Sequence, residues 1–131
     1  MKSNISEQEF LRSIKKLKRS PKLGKIYEIY RMEQEQTLCT TTLERQNKVW
    51  LKHLSQLEDF RVDKLEPLYI QKKIINPIYK EGKYTTCLYT ARLLITILDF
   101  SIACNLIQRN PLKEIFTLPV LKKASQLQSK R

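Results

Sequence analysis

The stretch from Tyr84 to Cys104 constrains the fold more than any other part of the chain. Leu88, Ala91, Leu94, Ile95, Leu98, Ile102 and Ala103 recur at helical spacing. Leu93, Ile97 and Phe100 widen that stripe until most of the helix is apolar. Such a helix has no side to turn to water, so it predicts the buried centre of a helical bundle. A bilayer is the weaker alternative. The most apolar run, Leu93 to Cys104, is interrupted by Thr96, Asp99 and Ser101 and is too short to span one. Gly82 suits a helix terminator before this segment. Asn105, which tolerates the left-handed conformation, suits its end.

The remaining pattern supplies the helices that cover it. Ser6 with Glu9 reads as a capping box opening a helix with Phe10, Leu11, Ile14 and Leu17 on one face. Its other face carries Arg12, Lys15, Lys16, Lys18 and Arg19, and Ser20-Pro21 ends it. A second helix is expected from Leu23 to Gln36. A third runs to Leu57 from a start at Thr41 or Thr42, the expected caps. Leu43, Val49 or Trp50, Leu54 and Leu57 face inward in it, while Arg45, Lys48 and Lys52 line its outward side. Phe60, Val62 and Leu65 anchor a polar connection to Pro67, which suits the first turn of the next helix. That helix carries Ile70, Ile74, Ile75 and Ile78, with a kink or break expected at Asn76-Pro77. A short turn covers Leu112 to Phe116, and beyond Pro119 the chain reads as a basic, weakly ordered tail. With only two glycines and little strand-like alternation, the fold class is all-α. The architecture expected is a compact bundle of four to five helices with an extra amino-terminal helix.

Charge speaks to partners rather than to fold. The chain carries 25 Lys and Arg against 13 Asp and Glu, a formal net charge of +12. Residues 81–115 are nearly balanced, whereas residues 116–131 hold four cations and no carboxylate. Release of counterions from a polyanion favours nucleic-acid binding by such a surface, and a solvated basic face is the plainer alternative. Cys39, Cys87 and Cys104 have no metal-ligand spacing, and their odd number points to reduced thiols in an intracellular protein. No signal peptide is visible in the polar amino terminus, so a cytoplasmic location is expected, associated with the nucleoid when bound to DNA. No glycine-rich phosphate loop occurs. His53 lacks a metal-spaced partner, and Asp59 and Asp63 read as solvated loop carboxylates. No catalytic residues, metal site, cofactor or small-molecule ligand is expected.

Residues 42–111 carry an ordered set of short motifs. Thr42-Leu43-Glu44-Arg45 opens a helix ending in Trp50-Leu51-Lys52-His53-Leu54. Val62-Asp63-Lys64-Leu65-Glu66-Pro67 follows a spacer, and Glu81-Gly82-Lys83-Tyr84-Thr85-Thr86 leads into the apolar helix with Ala91-Arg92 and Leu98 to Ala103. Asn105-Leu106-Ile107-Gln108-Arg109-Asn110-Pro111 closes it. In order and spacing this resembles the core-binding, SAM-like amino-terminal domain of phage-integrase-family tyrosine recombinases. Asn105 stands where that family usually has glycine, and Leu23 to Gln36 is similar to the first helix of the same domain.

The resemblance implies a double-stranded-DNA-binding bundle that forms one half of a C-shaped clamp, with other recombinase protomers as further partners. The family's Arg, His-x-x-Arg and nucleophilic Tyr are not matched here, since His53-Leu54-Ser55-Gln56 does not fit the pattern. The chain is therefore expected to be a non-enzymatic fragment of a recombinase. On this reading residues 1–20 are a basic amphipathic helix, residues 21–115 the core-binding domain, and residues 116–131 a basic linker toward a missing catalytic domain. The DNA-facing residues implied are Thr41, Thr42, Arg45, Lys48 and Lys52 on one helix. On the other they are Lys83, Tyr84, Thr85, Thr86, Tyr89 and Arg92. The same threonines also suit helix caps, and Tyr84 and Tyr89 also suit packing at the bundle edge. A helical protein-interaction module and a small phage DNA-binding regulator with a helix-turn-helix stay open as alternatives.

Overall fold

The computed structural model describes residues 21–129. The helix expected from Ser6, with its Lys15–Arg19 cluster, lies outside the described residues. Within them the chain is all-α, without a strand beyond one isolated antiparallel bridge between Lys22 and Arg61. It folds as five helical rods. Helix α1 is Leu23–Gln34. Helix α2 is Thr40–Val49, extended by a π-type turn, Trp50–Leu54, and a 3-10 turn, Ser55–Leu57. Helix α3 starts with Pro67–Ile70, passes through a π-type turn at Gln71–Ile75 and ends with Asn76–Lys80. Helix α4 is Tyr84–Ala103, and α5 is Pro119–Ser129.

Helix α4 is the centre of the bundle, as its composition demands, and it packs against α1, α2, α3 and α5. Its buried side is Cys87, Thr90, Ala91, Leu93, Leu94, Ile97, Leu98 and Ser101. That face is rotated from the expected stripe: Leu88, Ile95 and Ile102 are only half-buried and Ala103 is exposed. The reason is that small polar residues join the core. Ser101 Oγ donates back to the Ile97 carbonyl at 3.3 Å, which satisfies a hydroxyl inside an apolar layer. By length and composition alone this 20-residue helix is apolar enough to cross a bilayer, with a mean hydropathy of 1.4 over an 18-residue window. Eight of its residues are buried among the other helices.

The first helix is held by its amino end. Leu23 N–H donates to the Phe60 carbonyl at 2.8 Å, Gly24 N–H to that of Glu58 at 2.9 Å, and Val62 N–H to that of Pro21 at 3.0 Å. The backbone approach is so close that a Cβ on Gly24 would lie 3.0 Å from Glu58 Cβ and 3.2 Å from the Glu58 carbonyl oxygen. Val62 and Leu65 are fully buried and Phe60 partly so, which makes the polar connection an anchored one, as its pattern predicts.

Three expectations need correction. The amino-terminal cap of α2 is Cys39, two or three residues before the threonines expected there. Helix α3 does not break at Asn76-Pro77. The π-type turn before Pro77 adds a residue to the preceding ring, moving aside the carbonyl that a proline ring would otherwise strike. Ile70, Ile74, Ile75 and Ile78 all remain buried through it.

The third correction concerns the carboxyl-terminal segment. Residues 119–129 are an ordered helix, not a loose tail. Pro119 opens it, and Leu121 and Ala124, three residues apart, are completely buried on one face against α4. The four cations hid this short apolar stripe.

The connection between α4 and α5 is latched. Asn105 adopts φ 61°, the left-handed conformation that the sequence called for, and Leu106 N–H reaches the Ser101 carbonyl at 3.0 Å. Asn110 is buried; its Nδ2 donates to the Ile95 carbonyl at 3.2 Å and to Asp99 Oδ1 at 2.9 Å. Its Oδ1 accepts the Leu112 N–H at 2.8 Å. One side chain thus pins the turn back onto α4 and seats Leu112 and Ile115 in the core.

Candidate nucleic-acid interface

Helices α2 and α4 lie side by side in opposite directions. The Arg45 guanidinium carbon sits 4.3 Å above the Tyr89 ring centroid. Two turns further along α2, Lys52 and His53 come into the electrostatic range of Glu81 and Lys83, just before α4 begins. An advance of seven residues on one helix therefore matches a retreat of six on the other. This register decides which expected residues share a surface. Arg45 over Tyr89 marks one level of a ribbon, and Lys52 and Lys83, which both act on His53 and Glu81, mark another. Thr41 and Thr42 lie a turn beyond Arg45, at the end away from Lys83, Tyr84, Thr85 and Thr86. The two helix starts are thus not neighbours, and the shared feature is the line of cations between them.

The cations differ in how they are held. Arg45, Lys48, Lys52 and Arg92 are exposed, and among the described residues none has an acidic partner at ion-pair distance. Arg45 and Arg92 each stack on an aromatic ring, the second on Phe116 at 5.5 Å. A guanidinium over an aromatic ring is restrained by that contact and keeps N–H groups available to anions. Lys83 is more engaged, its Nζ lying 3.1 Å from Glu81 Oε1. Both side chains are about half-exposed, so the pair exchanges readily with a competing anion.

The local potential is visible in His53. Burial pushes its imidazole below the ordinary value; the charge of Lys52 lowers it further, Glu81 opposes this, and Lys83 adds a smaller lowering. The Glu81 carboxyl is held below its ordinary value by its hydrogen bond to Lys83 and by that charge, with Lys52 and His53 adding to the effect.

The uncharged members divide. Tyr84 is half-buried and packs on Tyr79, ring centroids 5.2 Å apart, which makes it an edge of the core. Tyr89 is the platform under Arg45. The Thr42 hydroxyl is engaged by Cys39 Sγ at 3.2 Å, and that bond draws the exposed Cys39 thiol below its ordinary value. Thr41 and Thr85 are exposed and Thr86 is half-buried. Thr90, which the sequence reading passed over, is completely buried with its hydroxyl unpartnered.

A polar layer behind α2 sets the height of the ribbon. Tyr27 Oη donates to Asn47 Oδ1 at 3.2 Å, and Arg31 Nη1 donates to the same oxygen at 3.3 Å. Tyr27 also stacks on Trp50, with ring centroids 4.1 Å apart and planes 10° apart. Burial raises its phenol to about 12. The sequence reading gave Arg31 and Asn47 no role, because each is a single polar residue on an otherwise polar stripe. Only the pairing of α1 with α2 exposes it. It also missed Lys122 of α5, which shares a groove with Arg92 and Phe116.

Among the described residues no group of three or more His, Cys, Asp or Glu could hold a metal ion. The arrangement can stack, donate hydrogen bonds and attract anions. In the comparisons with known proteins, no family model matches the chain, and no curated protein or solved structure matches it significantly.

Proposed function

We propose that this chain is a double-stranded-DNA-binding domain of a phage-integrase-type tyrosine recombinase, gripping one side of its core site as half of a clamp. The observation that carries DNA binding is the α2–α4 ribbon. It presents Arg45, Lys48, Lys52 and Arg92 without acidic partners among the described residues, and two of these guanidiniums are pre-stacked. From Thr41 to Lys52 the ribbon is about 16 Å long by helical rise. That is on the scale of the roughly 12 Å major groove and the phosphates lining it. Support for the recombinase assignment comes from the order of motifs over residues 42–111. The left-handed Asn105 and the Asn110 latch give that ending a physical purpose. A cytoplasmic, nucleoid-associated location and assembly with other recombinase protomers follow from the same reading, as does the lack of catalytic chemistry of its own.

The direct test is the Arg45→Ala, Lys83→Ala double variant. It should bind duplex DNA about tenfold more weakly, from the loss of roughly two phosphate contacts. Its helicity by circular dichroism should be unchanged. Unaltered affinity would remove the ribbon as the DNA-facing surface. A second reading, a helical protein-interaction module, draws on Leu51 and Leu68, which are 63% and 67% exposed. Binding to an acidic peptide in preference to a duplex would favour it.

A further inference from the structure

The groove between α4 and α5 holds about 420 Å³. Arg92 and Lys122 stand on its two walls, Phe116 and Leu121 contribute apolar surface, and Gln126 adds an amide. Among the described residues no Asp or Glu lines it. Arg92 is common to this groove and to the ribbon, so the two surfaces are continuous through its side chain. A hollow with cations on both walls and no carboxylate is complementary to a polyanion backbone and unfavourable for an acidic-poor or cationic partner. The groove is rigid on one side because α5 is seated by Leu121 and Ala124, both completely buried.

We infer that the α4–α5 groove extends the duplex-binding surface, with Lys122 and Gln126 taking DNA backbone phosphates next to the one taken by Arg92. This rests on the DNA-binding reading above, and it assigns a binding role to the helix that the sequence marks as a tail. Arg92 is held over Phe116, its guanidinium carbon 5.5 Å from the ring centroid, so its N–H groups and the flexible Lys122 ammonium can approach one phosphate run from the two walls. Lys122 and Gln126 are four residues apart on an exposed helical face and so point to the same side.

The experiment is fluorescence anisotropy of a labelled duplex with the full chain, titrated at several salt concentrations. It compares the parent with Lys122→Gln and with Lys64→Gln, a cation of the α2–α3 connection outside both surfaces. Lys122→Gln should weaken binding about threefold to tenfold at low salt, equally for unrelated duplex sequences. It should also make the salt slope shallower by about one unit, as expected for one lost phosphate contact. Lys64→Gln should change neither. Equal behaviour of the two variants, while Arg45→Ala still weakens binding, would overturn the groove assignment and leave the ribbon standing. Absence of duplex binding by the parent would remove both. Because Lys122 is exposed, the substitution leaves the packing of α5 intact, and an unchanged melting temperature checks this.

Discussion

Replacing Asn110 with alanine should loosen the bundle at one identifiable point. The side chain makes three hydrogen bonds, and they are not equivalent. Leu112 N–H is buried and gives its hydrogen to Asn110 Oδ1 at 2.8 Å, so in the variant it is left without that acceptor. An orphaned buried N–H costs about 1–3 kcal/mol. The bond to Asp99 Oδ1, at 2.9 Å, involves an acid that is largely exposed and that water can re-solvate, so its loss costs about 1 kcal/mol. The Ile95 carbonyl lies inside α4, where the helix ladder supplies its own donor, so the 3.2 Å contact adds little. The total is about 3 kcal/mol, which for a chain of this size lowers the melting temperature by roughly 10 °C. Urea and thermal melts followed by circular dichroism measure it, with Asp99→Ala as the comparison that removes only the exposed bond. A loss below about 1 kcal/mol for Asn110→Ala, or one no larger than that of Asp99→Ala, would refute the latch. The consequence reaches function, since the latch fixes the path into α5 and hence the approach of Lys122 to Arg92.

Other substitutions and pH changes probe separate parts of the fold. Gly24→Ala should destabilise by about 1–2 kcal/mol in the same melts, because its new methyl lies 3.0 Å from Glu58 Cβ and 3.2 Å from a backbone oxygen; a neutral result would mean that the α1 start is not pinned. With a thiol reagent near pH 8, Cys39 should react first, being exposed with its thiol drawn below the ordinary value by Thr42. Cys87 should stay protected until the chain unfolds, being fully buried with its thiol pushed up to about 11. The same burial makes stability fall at alkaline pH. Cys87 and Tyr27 both keep their protons in the fold above the values at which the unfolded chain releases them. The unfolded state therefore binds fewer protons, and stability should decline from about pH 9 towards pH 11–12 and stay flat below pH 8 as far as these two groups are concerned. A melting temperature that rises over that range would contradict the assignment.

Much of the bundle is legible in the sequence because its helices carry strong punctuation. Gly82 at φ 76°, Asn105 at φ 61°, Pro67 and the run of isoleucines in α3 each have a local physical meaning, and each acts in the structure as that meaning requires. What local pattern misses is tertiary. The buried face of α4 is displaced because Thr90 and Ser101 enter the core, which no apolar periodicity announces. Helix α5 escapes notice because two small or medium apolar residues, Leu121 and Ala124, suffice to dock it. Proline at Pro77 fails to break α3 because a π-type turn upstream relieves the clash, and that turn has no residue signature. For the candidate surface, the residue types were readable but their neighbours were not. Arg45 over Tyr89 and Arg92 over Phe116 are long-range pairings, and the antiparallel register that separates Thr41 from Lys83 appears only when α2 meets α4.

The most direct test of DNA binding by the ribbon is a salt-dependent titration of a labelled duplex with the parent chain, with an acidic peptide as control. If Arg45, Lys48, Lys52, Lys83 and Arg92 each release a counterion, the ribbon should make the logarithm of the binding constant fall with that of the salt concentration at a slope of about −4.5, to which the Lys122 contact in the groove adds about one unit. Between 50 and 200 mM salt the ribbon's part alone is a loss of roughly 500-fold, with little response to the peptide. A slope near zero, or no duplex binding at low salt, would contradict the account.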